Sequence, residues 1–379
     1  MLITYVLPLL SVVMKFKTLI LLLALWFTPA FAFHDPPSVD HNALVEYARD
    51  AVLMVSGVDA EGKGGFGSGF LISGDGLFVT NYHVIHRAVT IRCWFYDEED
   101  PKNYIAEIVG IDPAADLAVL KLKLKEGMEP LTHLSIEGDL EDIKVGEPVI
   151  AIGHLLGLDW TVTMGNVSHI NRPNYISPYV KMVQHTAPIN RGNSGGPVIN
   201  AEGKVIGVNT TVRFMGNNTV GVAYAVRGDI LNETVLKLIN GEEIKRAGMG
   251  VKLRQLSEFS IEKLSKLAKD VLVPNVFGAM VVEIEEDSHP YKQGLRNFDV
   301  IIAVDGVPTN GAGSVASELF DNSVGDVVKL IVIRDSMFIV IPYSLKEMEF
   351  DYMAFYDKRV AQEETQKENP GEYPYENDE

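Results

Sequence analysis

Cysteine is almost absent: the 379 residues contain one, Cys93. A lone cysteine forms no intrachain disulfide and excludes a C-x-x-C metal site, so Cys93 reads as a small buried or strand residue. Positive charge is also scarce, with 33 Lys and Arg against 51 Asp and Glu and a formal charge of −18. Nothing in that balance neutralises a phosphate backbone, which argues against nucleic acid as a partner; solubility and basic or unfolded partners are favoured instead. No internal repeat is present. What is abundant is apolar residues, 47% of the chain, which excludes wholesale disorder. The length is too great for one ordinary core and implies two domains.

Residues 1–32 read as a targeting segment. Lys15 and Lys17 precede the apolar run Thr18 to Phe27, and Ala30-Phe31-Ala32 forms an A-x-A cleavage site. Met14 can serve as the start, with the preceding residues an extension. Removing the segment takes away two lysines and no acid, leaving −20. The alternative is an uncleaved membrane anchor, although the run after Lys17 is short for a span, which needs ~20 residues. Both readings place the remainder outside the cytoplasm, secreted or periplasmic.

From about Ala43 to Arg227, short apolar runs are broken by glycine, the pattern of a β-barrel or sandwich. Gly74-Asp75-Gly76 marks a hairpin. Asp229 is expected to cap a helix over Ile230 to Asn240, stopped by Gly241, and 242–247 is a linker. A second unit, 248–345, mixes strands (Ala279 to Ile284, Val300 to Val304, Val327 to Arg334, Phe338 to Tyr343) with helical patterns at Ser257 to Lys269 and Ala312 to Phe320. The tail, 346–379, is rich in Glu, Asn, Pro and Tyr towards its end and is expected to be largely disordered.

The stretch His185 to Asn200, HTAPINRGNSGGPVIN, holds Ser194 between glycines. That leaves the hydroxyl uncrowded and lets backbone N–H groups face whatever it attacks. Upstream, His83 ends a strand in TNYHVI and Asp116 opens one in DLAVLK. A serine hydroxyl is a poor nucleophile until a neutral imidazole takes its proton, and that imidazole needs a carboxylate to fix its tautomer. Asp112 competes with Asp116 on composition, but Pro113 puts it in a turn. The order His, Asp, Ser is that of the two-barrel chymotrypsin-like proteases.

GSGFLIS…TNYHVI, DLAVLK and NRGNSGGPVIN resemble the HtrA (Deg) serine proteases, and the resemblance covers about Ala43 to Leu345. It implies a mostly β protein: a chymotrypsin-like double β-barrel domain (43–241), then an α+β PDZ domain. His83 is then the base, Asp116 its orienting acid and Ser194 the nucleophile of an endopeptidase. The N–H groups of Gly192, Asn193 and Ser194 form the oxyanion hole, the outer two as its main pair. Ile189, Val212 and Val222 wall a substrate pocket without an acid at its floor, suited to cleavage after small aliphatic residues. Such residues are buried in folded proteins, so unfolded chains are the expected substrates. Arg172 resembles a regulatory loop arginine. Two stretches depart from the family: Gln184-His185-Thr186-Ala187 for Gln-Thr-Asp-Ala, and Gly153-His154-Leu155-Leu156-Gly157 for Gly-Asn-Pro-Phe-Gly. The insert Asp59 to Phe66 is short for an inhibitory loop.

Arg246 to Val251 resembles a PDZ carboxylate-binding loop, in which the N–H groups of Met249, Gly250 and Val251 capture a peptide C-terminus while the peptide adds a strand. Ser288 to Leu295 and Asp299 to Gly306 fit the same domain, with Asn297-Phe298 a mismatch in a turn. The resemblance implies a homotrimer and neither metal nor cofactor. The expected function is degradation of misfolded extracytoplasmic proteins. The alternatives are an anchored regulatory protease that cuts one partner on PDZ engagement, and a chaperone or peptide-binding scaffold.

Overall fold

The computed structural model describes residues 41–95, 103–155, 158–173, 180–212, 221–256 and 277–348, all within one compact unit, His41–Glu379. The targeting segment, the helical pattern at Ser257 to Lys269 and the tail beyond 348 lie outside the described residues. Among those described, no helix is long and apolar enough to cross a membrane.

After helix α1 (His41–Arg49), six strands close a first barrel: β1 (Val52–Val58), β2 (Gly64–Leu71), β3 (Leu77–Asn81), β4 (Thr90–Phe95), β5 (Asn103–Asp112) and β6 (Leu117–Leu122). Their order around the barrel is β1-β2-β3-β6-β5-β4, antiparallel throughout. The expected hairpin joins β2 to β3. Ile72 N–H donates to Leu77 O (2.9 Å), and Gly76 takes φ +89°, a conformation that favours glycine. Phe70, Leu71, Phe78, Leu117 and Leu120 are fully buried. Each such side chain contributes about 1.5–3 kcal/mol before chain entropy is counted. The single turn α2 (Tyr82–Ile85) follows β3 directly.

A second closed barrel, ordered β10-β11-β12-β9-β8-β7, comprises β7 (Pro148–Leu155), β8 (Leu158–Pro173), β9 (Lys181–His185), β10 (Pro197–Asn200), β11 (Val205–Val212) and β12 (Ala223–Arg227). Val149, Val167, Val183, Val198 and Ile206 share its interior. Helix α3 (Gly228–Ile239) then leaves β12 and packs on β5 and β6 of the first barrel as well as on β11 and β12. Its Ile230, Leu231, Val235 and Leu238 belong to a core cluster that spans both barrels. Asp229 does not cap this helix. The N-cap is Arg227, without a side-chain cap bond, and Asp229 in the first turn instead accepts from Arg227 Nε (2.9 Å). A carboxylate there suits the helix N-terminus and also neutralises a guanidinium that is only 4% exposed.

The remaining strands are β13 (Ala247–Gly248), β14 (Lys252–Leu256), β15 (Gly278–Val282), β16 (Val300–Val304), β17 (Val307–Pro308), β18 (Val327–Arg334), β19 (Met337–Ser344) and β20 (Lys346–Glu347). The main sheet runs β14-β15-β16-β18-β19, while β13 pairs with β20. The short turn α4 (His289–Lys292) is capped by Ser288, and α5 (Ala312–Leu319) lies by β14, β15 and β16. Lys346 and Glu347, expected in the tail, are instead a strand, because their pairing with Ala247 and Gly248 closes the domain on itself.

Candidate functional site

The two barrels each contribute to one cluster of polar side chains. From the first, α2 carries His83, whose backbone N–H donates to Asp116 Oδ1 (2.9 Å) and whose Nδ1 stands 2.7 Å from Asp116 Oδ2. Asp116 sits in the turn between β5 and β6 at φ +55°, a left-handed conformation that aspartate tolerates better than most residues. Its carbonyl accepts from Tyr82 N–H (3.1 Å) and Asn81 Nδ2 (2.8 Å), which ties the turn to the end of β3. From the second barrel, Thr210 on β11 donates its hydroxyl to Asp116 Oδ2 (2.7 Å). Burial alone would raise the Asp116 pKa. The His83 ring, its hydrogen bonds and the Thr210 hydroxyl outweigh that and hold it below the usual value, so Asp116 is a carboxylate.

Ser194 lies in the loop between β9 and β10. Its hydroxyl points to Thr210 O at 3.4 Å, and no hydrogen bond joins it to His83. The loop is held from both sides. Gly195 N–H donates to Asn209 O (2.8 Å) and Asn209 N–H returns to Gly196 O (2.9 Å), while Ser68 of β2 donates its N–H to Ser194 O (2.7 Å). The Ser68 hydroxyl donates to Gly192 O (2.7 Å) and accepts from His154 N–H (2.8 Å). Two glycines are steric necessities. Gly192 has φ +104° and a Cβ there would lie 1.8 Å from His154 O; Gly195 has φ +87° and its Cβ would lie 2.1 Å from Ser68 O. Of the three N–H groups expected to face an oxyanion, Asn193 differs: its N–H closes a turn onto Asn190 O (3.1 Å). Those of Gly192 and Ser194 have no acceptor among the described residues and remain available.

The pocket candidates separate. Ile189 is half-buried against the second barrel's interior, and Val222 packs on the cluster that spans both barrels. Val212 ends β11, and its side chain lies outside the described residues. Arg172 is exposed on β8 and donates to Gln184 Oε1 (3.0 Å). In the C-terminal domain, Met249, Gly250 and Val251 join β13 to β14 with Gly250 at φ +66°. Their N–H groups find no acceptor among the described residues, and the Tyr343 hydroxyl braces the loop by donating to Met249 O.

Sequence reasoning did not single out Ser68, Thr210, Asn209 or the placement of His185. Thr210 and Ser68 act through positions across a barrel seam, which local pattern does not reveal. His185 is wholly buried, with Nε2 3.0 Å from Asn209 Oδ1 and Nδ1 without a partner. Burial pushes its pKa down to about 4, against the opposing pull of the Asn209 bond, so the ring is neutral.

Residues 67–208 match the family described as "Trypsin-like peptidase domain", and 247–339 match "PDZ domain". The chain is 33% identical over 283 residues to the "Probable periplasmic serine endoprotease DegP-like" of Chlamydia muridarum, covering 74% of this chain and 54% of that protein. A Pseudomonas fluorescens protein of the same name is 35% identical over 269 residues, 71% of this chain and 53% of its own length. The chain thus spans about half the length of these curated relatives. Among solved structures, "HtrA-type protease AlgW with tripeptide" superposes with a TM-score of 0.62 at 26% identity, covering 83% of this chain and 98% of that one. With a trypsin-like double barrel followed by a PDZ domain, the chain belongs to the HtrA-type serine proteases.

Proposed function

We propose that the chain is a serine endopeptidase acting outside the cytoplasm on unfolded proteins. The observation that carries this is the junction of the barrels: His83, Asp116 and Thr210 form one hydrogen-bonded chain beside Ser194, and two unengaged N–H groups flank the loop that carries it. Neutral His83 takes the Ser194 proton as the hydroxyl attacks a peptide carbonyl, and Asp116 stabilises the imidazolium so formed. The N–H groups of Gly192 and Ser194 receive the carbonyl oxygen as it gains charge; losing one such donor costs about 10²–10³ in turnover. His83 then returns the proton to the leaving amine, and water hydrolyses the acyl-Ser194 ester by the same relay. The Ser194 hydroxyl, now directed at Thr210 O, has to rotate away to meet His83. That orientation favours a second reading, in which the resting enzyme waits for a signal and cuts one partner after a peptide engages the PDZ domain. Cleavage after small aliphatic residues, with Ile189, Val212 and Val222 around the substrate side chain, and assembly as a trimer belong to the same proposal. So does extracytoplasmic location, which the names of the periplasmic relatives support.

The test is digestion of casein by the full chain beside its Ser194→Ala variant, with the product termini mapped. The expected result is cleavage by the wild type alone, after Val, Ala and similar residues. Digestion at equal rates by both proteins would overturn the assignment of Ser194. Cleavage by the wild type only when a peptide with a hydrophobic C-terminus is added would select the signal-dependent reading.

A further inference from the structure

The loop of Met249, Gly250 and Val251 concentrates three N–H donors but no charge of its own. Arg246, three residues before the loop, is committed elsewhere: it pairs with buried Asp112 and lies over the Phe320 ring, 4.6 Å from its centroid, and Lys252, just after the loop, pairs with Glu283. A different cation covers the loop. The position that a Cβ on Gly250 would occupy is 2.1 Å from Lys346 Cε and 2.9 Å from Lys346 Nζ. The side chain of Lys346 therefore lies directly across the glycine. It is brought there by the pairing of Gly248 with Lys346 in the β13–β20 ladder. The adjacent Glu347 does not compete for it, since that carboxylate is held by Lys245 Nζ at 3.0 Å. Among the described residues the Lys346 ammonium makes no hydrogen bond or ion pair, so its donors are free over a loop whose N–H groups are free as well.

We propose that Lys346 is the charged half of a carboxylate site, binding the free C-terminus of a peptide together with the N–H groups of Met249, Gly250 and Val251. The inference rests on the reading of this domain as a binder of peptide C-termini. It adds which side chain supplies the charge, and that the side chain comes from the strand that ends the domain. A bound carboxylate accepts backbone donors from the loop and a charge-assisted bond from the ammonium above it. The rest of the peptide lies along β14, an edge of the main sheet with no further strand beside it among the described residues, and its last side chain lies against Met249, Val315 and Leu319. Free acids are thereby preferred over amides, and the preference contains a component that salt screens.

The experiment uses the full chain carrying Ser194→Ala, so that bound peptides survive. Fluorescein-labelled hexapeptides ending in Val, Leu or Phe are titrated as free acids and as C-terminal amides and followed by anisotropy. The expected result is that the wild-type domain prefers the acids. Lys346→Met, which keeps the apolar stem over Gly250, should weaken acid binding roughly three- to fivefold at low salt, the range of an exposed ion pair. Amide binding should stay unchanged, the difference should shrink in 0.5 M salt to about twofold or less, and Lys346→Arg should restore most of it. Lys245→Met combined with Glu347→Gln, which removes the neighbouring ion pair without freeing a carboxylate beside Lys346, should have no comparable effect. If acids are preferred by the wild type and equally by Lys346→Met, Lys346 has no part in the site and the inference is overturned while the C-terminus reading stands. It is overturned in the same way if the Lys245→Met, Glu347→Gln double variant loses as much as Lys346→Met. If the wild type treats acids and amides alike, or binds none of the peptides, the underlying reading fails and the inference with it.

Discussion

A buried histidine makes the stability of this protein depend on acid in a calculable way. His185 hydrogen-bonds Asn209, and Asn209 in turn holds Gly195 and Gly196, the two residues after the proposed nucleophile. The ring ordinarily titrates near 6.5 and burial pushes it down to about 4. The unfolded chain thus binds the extra proton first, and the folded state loses stability as pH falls from 6.5 towards 4. Between pH 7 and pH 5 this one group removes about 2 kcal/mol. Urea unfolding of the wild type and of His185→Gln at both values should show that drop in the first protein and its absence in the second; parallel losses would place the acid sensitivity elsewhere. At this scale the sequence was unevenly legible. His83, Asp116 and Ser194 stand out because the chemistry demands those types in a known order. Thr210 does not, because its importance comes only from its distance to a carboxylate 94 positions earlier in the chain.

Among elements, α3 does the most to fix one barrel against the other. It leaves β12 and crosses to β5, where Gly110 makes room for it: a Cβ at that glycine would lie 2.8 Å from Leu238 Cδ2. Leu238 is buried there, so Leu238→Ala should cost about 2–4 kcal/mol in chemical denaturation through lost burial and the cavity left behind. A loss under about 1 kcal/mol would mean that the helix is not what holds the seam. The existence of this helix was legible from its apolar stripe and from Gly241. Its start was not, because Asp229 has the composition of a cap while its carboxylate goes to Arg227. Four strands of the C-terminal domain were likewise legible within about two residues, as in Val300–Val304 and Val327–Arg334, where β-branched residues alternate or run together, but β14, with its charged and polar Lys252, Arg254 and Gln255, was not. The short ladder of β13 and β20 was missed, since two-residue strands leave no period to read.

For the whole molecule, the barrels and the C-terminal domain meet through a few charges and through Phe320, which packs on the core cluster that spans the barrels. Arg246 reaches back to Asp112, which is 2% exposed and also accepts from Ala115 N–H (3.1 Å) and the Thr234 hydroxyl (3.4 Å). Lys181, 10% exposed at its side chain, reaches Asp321 at 2.5 Å. Removing one partner of a buried pair strands the other, so Arg246→Ala should destabilise the protein by about 3 kcal/mol, and adding Asp112→Asn should recover part of it. Calorimetry of both variants checks this; equal transitions for Arg246→Ala and the wild type would show the contact to be idle. None of these links was legible beforehand, because each joins residues more than a hundred positions apart. The same distance governs the chemistry. Ser68 of the first barrel holds two carbonyls of the loop in the second, on either side of Asn193, while His83 and Asp116, the proposed base and its orienting acid, stay behind on its own side. On the proposed mechanism, activity therefore behaves as a logical conjunction: it reports that both halves have been made, folded and docked. By the same proposal, a chain still emerging from synthesis, or one with half its structure melted, would have no means of digesting its neighbours. A polypeptide severed between residues 123 and 147 would regain its cutting power only on reassembly of the pieces.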